Sequence, residues 1–137
     1  MKIGIFSLGL DGLTYLKSTA RELPSYDFEL YADTRKITPE ALETVDVVEE
    51  GVKELIKRQV SLIVIIEQNQ KMPLDQFLAA KIIFSKIPAE LKRYLNDNPE
   101  LEKSLSRNHT RNITLTENTP ETDKAVADIL GGTLIRE

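Results

Sequence analysis

The sequence predicts a three-layer α/β sandwich with a mainly parallel sheet, a single Rossmann-like domain over residues 1–137. Three observations predict it. An apolar run, Ile3 to Phe6, leads through a short loop with two glycines into a helical pattern, the strand, loop and helix that open an α/β unit. Val60 to Ile66 is nearly continuously apolar, as a strand covered on both faces of a parallel sheet must be. Strand and helix patterns then alternate with short connections, which favours right-handed crossovers over hairpins. A chain of 137 residues with 41% apolar residues buries a sizeable core, roughly two thirds of its unfolded surface.

Each element has its own signal. After the first strand, Leu13, Leu16, Ala20 and Leu23 mark a helix that Pro24 and Ser25 stop. Phe28, Leu30 and Ala32 alternate with polar neighbours as a second strand, closed by Asp33-Thr34-Arg35. Thr38-Pro39-Glu40 supplies a capping hydroxyl and a proline at the first helical position, where a missing N–H costs nothing. The helix it starts carries Leu42, Val45, Val48, Val52, Leu55 and Ile56, interrupted by Gly51. Past the apolar strand, the spacing predicts helices from Pro73 to about Phe84 and from Pro88 through Leu95. Asn98-Pro99-Glu100 predicts a further cap, and Ser104 to Asn112 an exposed polar tract. Ile113 to Leu115 reads as a short strand. Thr119-Pro120-Glu121 starts a last helix through Leu130, ended by Gly131-Gly132.

Composition excludes several classes. A net charge of −4 and a pI near 5.2 argue against nucleic-acid binding, which needs concentrated basic surface. No cysteine is present, which removes disulfides, thiolate catalysis and cysteine-based zinc sites. With His109 the one histidine, a zinc site would need an unusual carboxylate-rich ligand set, and no metal or cofactor is expected. No apolar run reaches the length of a signal h-region or a membrane span, so no membrane role is expected and the chain reads as cytoplasmic.

The candidate site lies in the loops after the strands. Ser7 to Gly12 reads S-x-G-x-x-G, and Asp33 ends the next strand where a dinucleotide fold places its ribose carboxylate. The first glycine of that fingerprint is missing. Two readings remain for the loop. Backbone N–H groups at the helix start, with Ser7 nearby, hold a carboxylate or phosphate, or Gly9 and Gly12 serve only a tight turn and close helix packing. Asp11 at a helix start interacts favourably with the helix dipole. Asp33, with Thr34 beside it, either fixes a loop or faces a ligand. Glu67, Gln68 and Asn69 follow the central strand and are placed to share that crevice. His109, between Arg107 and Arg111, reads as a solvated loop histidine, and Tyr15, Tyr26, Tyr31 and Tyr94 as partly buried packing with wet hydroxyls.

Residues 1–16, MKIGIFSLGLDGLTYL, resemble the opening of bacterial glutamate racemases of the aspartate/glutamate racemase family, and Leu30-Tyr31-Ala32-Asp33-Thr34-Arg35 resembles their next strand and loop. Residues 99–107, then Ile113 to Glu117, then Asp123 to Gly131, resemble the family's carboxyl-terminal stretch. The resemblance implies two similar α/β domains in a chain about twice this length, with the carboxyl-terminal segment returning to the first. It also implies cofactor-independent exchange of a Cα proton between two cysteines. This sequence departs at the residues that carry that chemistry. Ser7 stands at the family's first-loop acid; the cysteine loop falls around Glu67-Gln68-Asn69-Gln70, or else the preceding strand matches the second domain's cysteine strand leading toward Pro73-Leu74, with no cysteine either way; and the Pro-Tyr-Gly segment expected after Arg35 is absent.

The expectation is therefore a noncatalytic racemase-like domain, with no catalytic residue, acting through protein contacts. It should self-associate as a homodimer that buries the helices near Leu74 to Ile83 or the crevice edge. The alternatives are a regulatory protein that binds a small carboxylate or phosphate, and an enzyme of divergent chemistry using Ser7, Asp11, Asp33 and Glu67 with magnesium. If the carboxyl-terminal segment has returned, the strand near Ile113 must join the sheet of Ile3 to Phe6.

Overall fold

The computed structural model describes residues 2–23, 26–34, 46–66, 81–85, 87–99, 111–116, 120–129 and 133–136. Ten elements run in order: β1 (Lys2–Leu8), α1 (Asp11–Glu22), β2 (Asp27–Asp33), α2 (Asp46–Lys57), β3 (Leu62–Ile65), β4 (Lys81–Phe84), α3 (Pro88–Asp97), β5 (Arg111–Leu115), α4 (Pro120–Ile129) and β6 (Thr133–Arg136). The strands form one six-stranded sheet in the order β4-β3-β1-β2-β5-β6, with every neighbouring pair parallel. β5 joins the sheet of β1 by pairing with β2, Leu30 opposite Ile113.

The order of the strands dictates which face each helix covers. The steps β1 to β2, β4 to β5 and β5 to β6 move toward the β6 edge, whereas β2 to β3 and β3 to β4 move toward the β4 edge. If every crossover keeps one hand, connections in opposite directions lie on opposite faces. The core divides accordingly. Leu13, Leu16 and Ala20 of α1, Leu91 and Leu95 of α3 and Val126 of α4 pack with Ile3, Ile5, Leu30, Val64 and Ile113. On the other face Val48, Val52 and Leu55 of α2 pack with Phe6, Tyr31, Ile63 and Ile65. Gly51 lies against the Phe6 ring, which stacks on Tyr31 with centroids 6.0 Å apart, and a Cβ there would collide with the ring.

The amino ends of the strands carry a buried ionic network on the α2 face. The Glu29 carboxylate lies 3.6 Å from Lys2 Nζ and 3.4 Å from Arg58 Nη1, and accepts from Asn112 Nδ2 at 2.8 Å. Arg58 also donates to the Thr114 hydroxyl and to Glu54 Oε1, the latter at 3.3 Å.

Several expectations change. Lys81 to Phe84, expected as the end of a helix from Pro73, form an edge strand. The run Ile82-Ile83-Phe84 favours a pleated surface, and so short an apolar stretch does not separate the two periods. A dimer burying helices near Leu74 to Ile83 loses that basis at residues 81–83, and the rest of that stretch lies outside the described residues. Asn98 is the C-cap of α3, its side-chain amide donating to Tyr94 O at 2.7 Å, and Pro99 after it opens a 3-10 turn as expected, while the residues from Glu100 that would continue it lie outside the described residues. Arg111 and Asn112 belong to β5, with Asn112 half-buried, and the rest of the tract expected from Ser104 lies outside the described residues. β6 has no counterpart in the sequence reading. Tyr15, Tyr26 and Tyr31 are buried, while Tyr94 is half-buried as expected. The cap at Thr38-Pro39, the Gly131-Gly132 stop, His109 and Arg107 lie outside the described residues.

Candidate functional site

Ligand sites in open parallel sheets lie beyond the carboxyl ends of the strands, where the chain leaves two neighbouring strands in opposite directions. Here that point falls between β1 and β3, because β1 leads toward one edge and β3 toward the other. A dinucleotide fold continues outward after its second strand, whereas this chain crosses back over β1 to β3.

The loop after β1 is set by its two glycines. Gly9 takes φ +73°, a left-handed conformation open to glycine without strain, and donates its N–H to Asp33 O at 2.8 Å. Gly12 lets the first turn of α1 close on the strand, since a Cβ there would lie 2.5 Å from Ser7 Oγ and 2.6 Å from Leu30 Cδ1. Ser7 is fully buried, and its hydroxyl turns back to donate to Gly9 O at 3.2 Å. Both glycines therefore do what turn and packing require. The N-cap of α1 is Leu10, with φ −95° and ψ 2° and no side-chain cap.

Asp33 is 1% exposed at the end of β2. Its Oδ1 accepts from Thr116 Oγ1 at 3.1 Å, and the same hydroxyl oxygen accepts the Thr34 N–H at 2.9 Å. The ends of β1, β2 and the segment after β5 are thereby joined in sequence, Gly9 to Asp33 to Thr116.

A second cluster lies past β4. Tyr15, one turn into α1, meets Ser85 with its hydroxyl at 2.8 Å, and Ser85 Oγ donates to Ile87 O at 2.9 Å. Either hydroxyl of the Tyr15–Ser85 pair can be the donor. Burial pushes the Tyr15 pKa up to about 12; the Ser85 contact opposes the shift and the Glu90 charge adds to it. Ile87 is the N-cap of α3, with φ −131° and ψ 145°, and Pro88 follows at the first helical position. Its N–H donates to Glu90 Oε1 at 3.3 Å. Held at both its N–H and its carbonyl, Ile87 leaves its side chain 54% exposed, and Leu10 is 37% exposed. They are the two large apolar side chains exposed among the residues whose burial is described.

Of the residues expected from sequence, Ser7, Gly9, Gly12, Asp33 and Thr34 come together at the ends of β1 and β2. Asp11 is exposed at the start of α1. Glu67, Gln68 and Asn69 lie outside the described residues. The last residue before them, Ile66, donates its N–H to Phe6 O at 3.0 Å. Thr116, Tyr15, Ser85 and Ile87 were missed as site residues; only Ile87 left a trace, an apolar residue directly before a helix-starting proline. Among the described residues no group of three or more His, Asp or Glu could hold a metal ion, and no helix is long and apolar enough to cross a membrane. Comparison with protein-family models, curated proteins and solved structures finds no match to this chain.

Proposed function

We propose that this chain is a glutamate racemase-like domain without a catalytic role, and that it acts through protein contacts at the carboxyl end of its sheet, in the first place with a second copy of itself. The single observation that carries the contact reading is Ile87. At a helix N-cap with extended backbone angles, a serine, threonine or aspartate accepts a first-turn N–H and stabilises by about 1 kcal/mol. This chain instead places an isoleucine there, 54% exposed. Local rules are broken in this way mainly where function needs it. The hydrogen bonds on the Ile87 N–H and carbonyl hold its main chain in one conformation, so little backbone ordering cost remains on binding. The noncatalytic part of the reading is supported by the missing cysteines and by Ser7, whose hydroxyl is committed to Gly9 O inside the loop.

Light scattering tests the proposal. The wild-type chain runs as a dimer at high micromolar concentration, and Ile87→Ser is a monomer that nevertheless melts higher, because the serine caps α3. Leu10→Ser also weakens the dimer but gains no stability, since the angles at Leu10 do not suit a cap. A monomeric wild-type chain overturns the proposal.

One observation favours a second reading, a site for a small carboxylate or phosphate. No side chain at Leu10 caps α1, so its first-turn N–H groups have no capping acceptor from that residue. Titration with L- and D-glutamate, L- and D-aspartate and phosphate would then shift the Gly9 and Gly12 amide resonances saturably and raise the melting midpoint. Unmoved resonances at millimolar concentrations remove this reading.

A further inference from the structure

The loop that carries Leu10 is tied to the last third of the chain. Thr116 follows β5, and its N–H continues the ladder by donating to Ala32 O at 3.2 Å. Its hydroxyl then does two things at once, accepting the Thr34 N–H at 2.9 Å and donating to Asp33 Oδ1 at 3.1 Å. Asp33 is fixed on either side of its own peptide, and its carbonyl accepts the Gly9 N–H at 2.8 Å. Gly9 is left-handed and a Cβ placed on it would have no neighbour within 4 Å, so no packing at this residue holds it. Hydrogen bonds on its N–H, to Asp33 O, and on its carbonyl, from the Ser7 hydroxyl, fix it between Leu8, which packs on the α2 face, and Leu10, whose carbonyl accepts the Leu13 N–H at 3.0 Å.

We infer that Thr116 is a positioning residue for the Gly9–Leu10 loop, so that the carboxyl-terminal strands set the geometry of the contact surface formed by the first loop. The inference rests on the contact reading for its purpose, but the geometry it describes is measurable without it. With β5 undocked, Leu10 keeps its tie to Leu13 in α1 but the loop loses the anchor that Thr116 gives it through Asp33, so partner binding depends on the pairing of β5 with β2.

Amide hydrogen exchange on wild type, Thr116→Val and Thr116→Ser tests this, with Ile5 in the sheet centre as the internal reference. Valine keeps the shape and removes both hydroxyl contacts. The exchange of Gly9 relative to Ile5 should rise about tenfold in Thr116→Val, the size expected for the loss of one net hydrogen bond, and return to within about twofold of wild type in Thr116→Ser. Light scattering on the same samples should show the dimer weakened in the valine variant alone. If Gly9 and Ile5 speed up together, Thr116 supports the fold in general and the inference falls. A monomeric wild type with the Gly9 ratio still raised in Thr116→Val refutes the contact reading and leaves the positioning role standing.

Discussion

Two buried acids on β2, Glu29 near its start and Asp33 at its end, point to the same face of the sheet and are held differently. Glu29 lies between two cations, Lys2 and Arg58, with the Asn112 amide completing its shell. Asp33 accepts a threonine hydroxyl and lends its backbone carbonyl to a glycine. The amino end of the sheet is thus cemented by charge, in a network that is expensive to break once buried. At the carboxyl end the contacts between described residues are hydroxyl and carbonyl hydrogen bonds, worth about 1 kcal/mol each, somewhat more at a carboxylate. The comparison teaches where this fold has latitude. Loops at the carboxyl end can be retuned one weak contact at a time while the opposite end keeps the sheet together.

The largest effect should come from breaking the charged end. Arg58→Met leaves Glu29 buried with only the more distant, partly exposed Lys2 to balance it, and should cost about 3 kcal/mol in a denaturant titration. The double variant Glu29→Met with Arg58→Met should recover most of that loss, since replacing both members of a buried pair by apolar groups is often close to neutral. Equal destabilisation by the single and double variants would mean that Glu29 and Arg58 do not act as a pair, and the comparison would lose one side.

At the carboxyl end the sharpest probe is alkaline pH. The Tyr15 pKa is raised to about 12, chiefly by burial, against an ordinary value near 10. Below pH 10 both folded and unfolded chains keep the phenolic proton, and the stability is fully present. Between pH 10 and 12 the unfolded chain loses the proton while the folded chain retains it, so stability falls as pH rises, by about 1–3 kcal/mol across that window. Urea midpoints at pH 8 and pH 11 should separate for the wild type more than for Tyr15→Phe, in which Ser85 still donates to Ile87 O. Equal separations in the two proteins would show that the hydroxyl is not held in the folded state as described.

The two ends also differed in how far they could be read in advance. β3 was legible because Leu-Ile-Val-Ile is apolar throughout and β-branched after its first residue, and α3 because Pro88 announces its first turn. β4 and β6 were not, since four residues carry too little periodicity to outweigh a helical neighbourhood or a pair of glycines. Gly9 and Gly12 were legible as a loop because glycine spacing is local information. Thr116 beside Asp33, and Ser85 beside Tyr15, are contacts between segments whose adjacency exists only once the strand order is fixed. The Glu29 network was hidden for the same reason. A glutamate alternating with apolar residues reads as the solvent side of a strand, and only α2, with Arg58 just beyond it, turns that side into an interior.

The smallest effect concerns the backbone itself, and each end offers one residue for it. Gln59, in the turn that leads from α2 into β3, has φ +64°, and Gly9 in the loop after β1 has φ +73°. A side chain in this region costs about 1–2 kcal/mol, while glycine regains part of that as extra freedom in the unfolded chain, worth about 0.4–1 kcal/mol. Gln59→Gly should therefore stabilise by somewhat less than about 1 kcal/mol, and Gly9→Ala should destabilise by a similar amount. The alanine meets no atom within 4 Å, so its cost is conformational and owes nothing to packing. Matched magnitudes with opposite signs, read from denaturant midpoints, would show that both turns are equally committed to their left-handed residue. A neutral Gly9→Ala would instead mean that the loop relaxes to another conformation, and the hydrogen bond from Gly9 to Asp33 would not be what holds Leu10 in place.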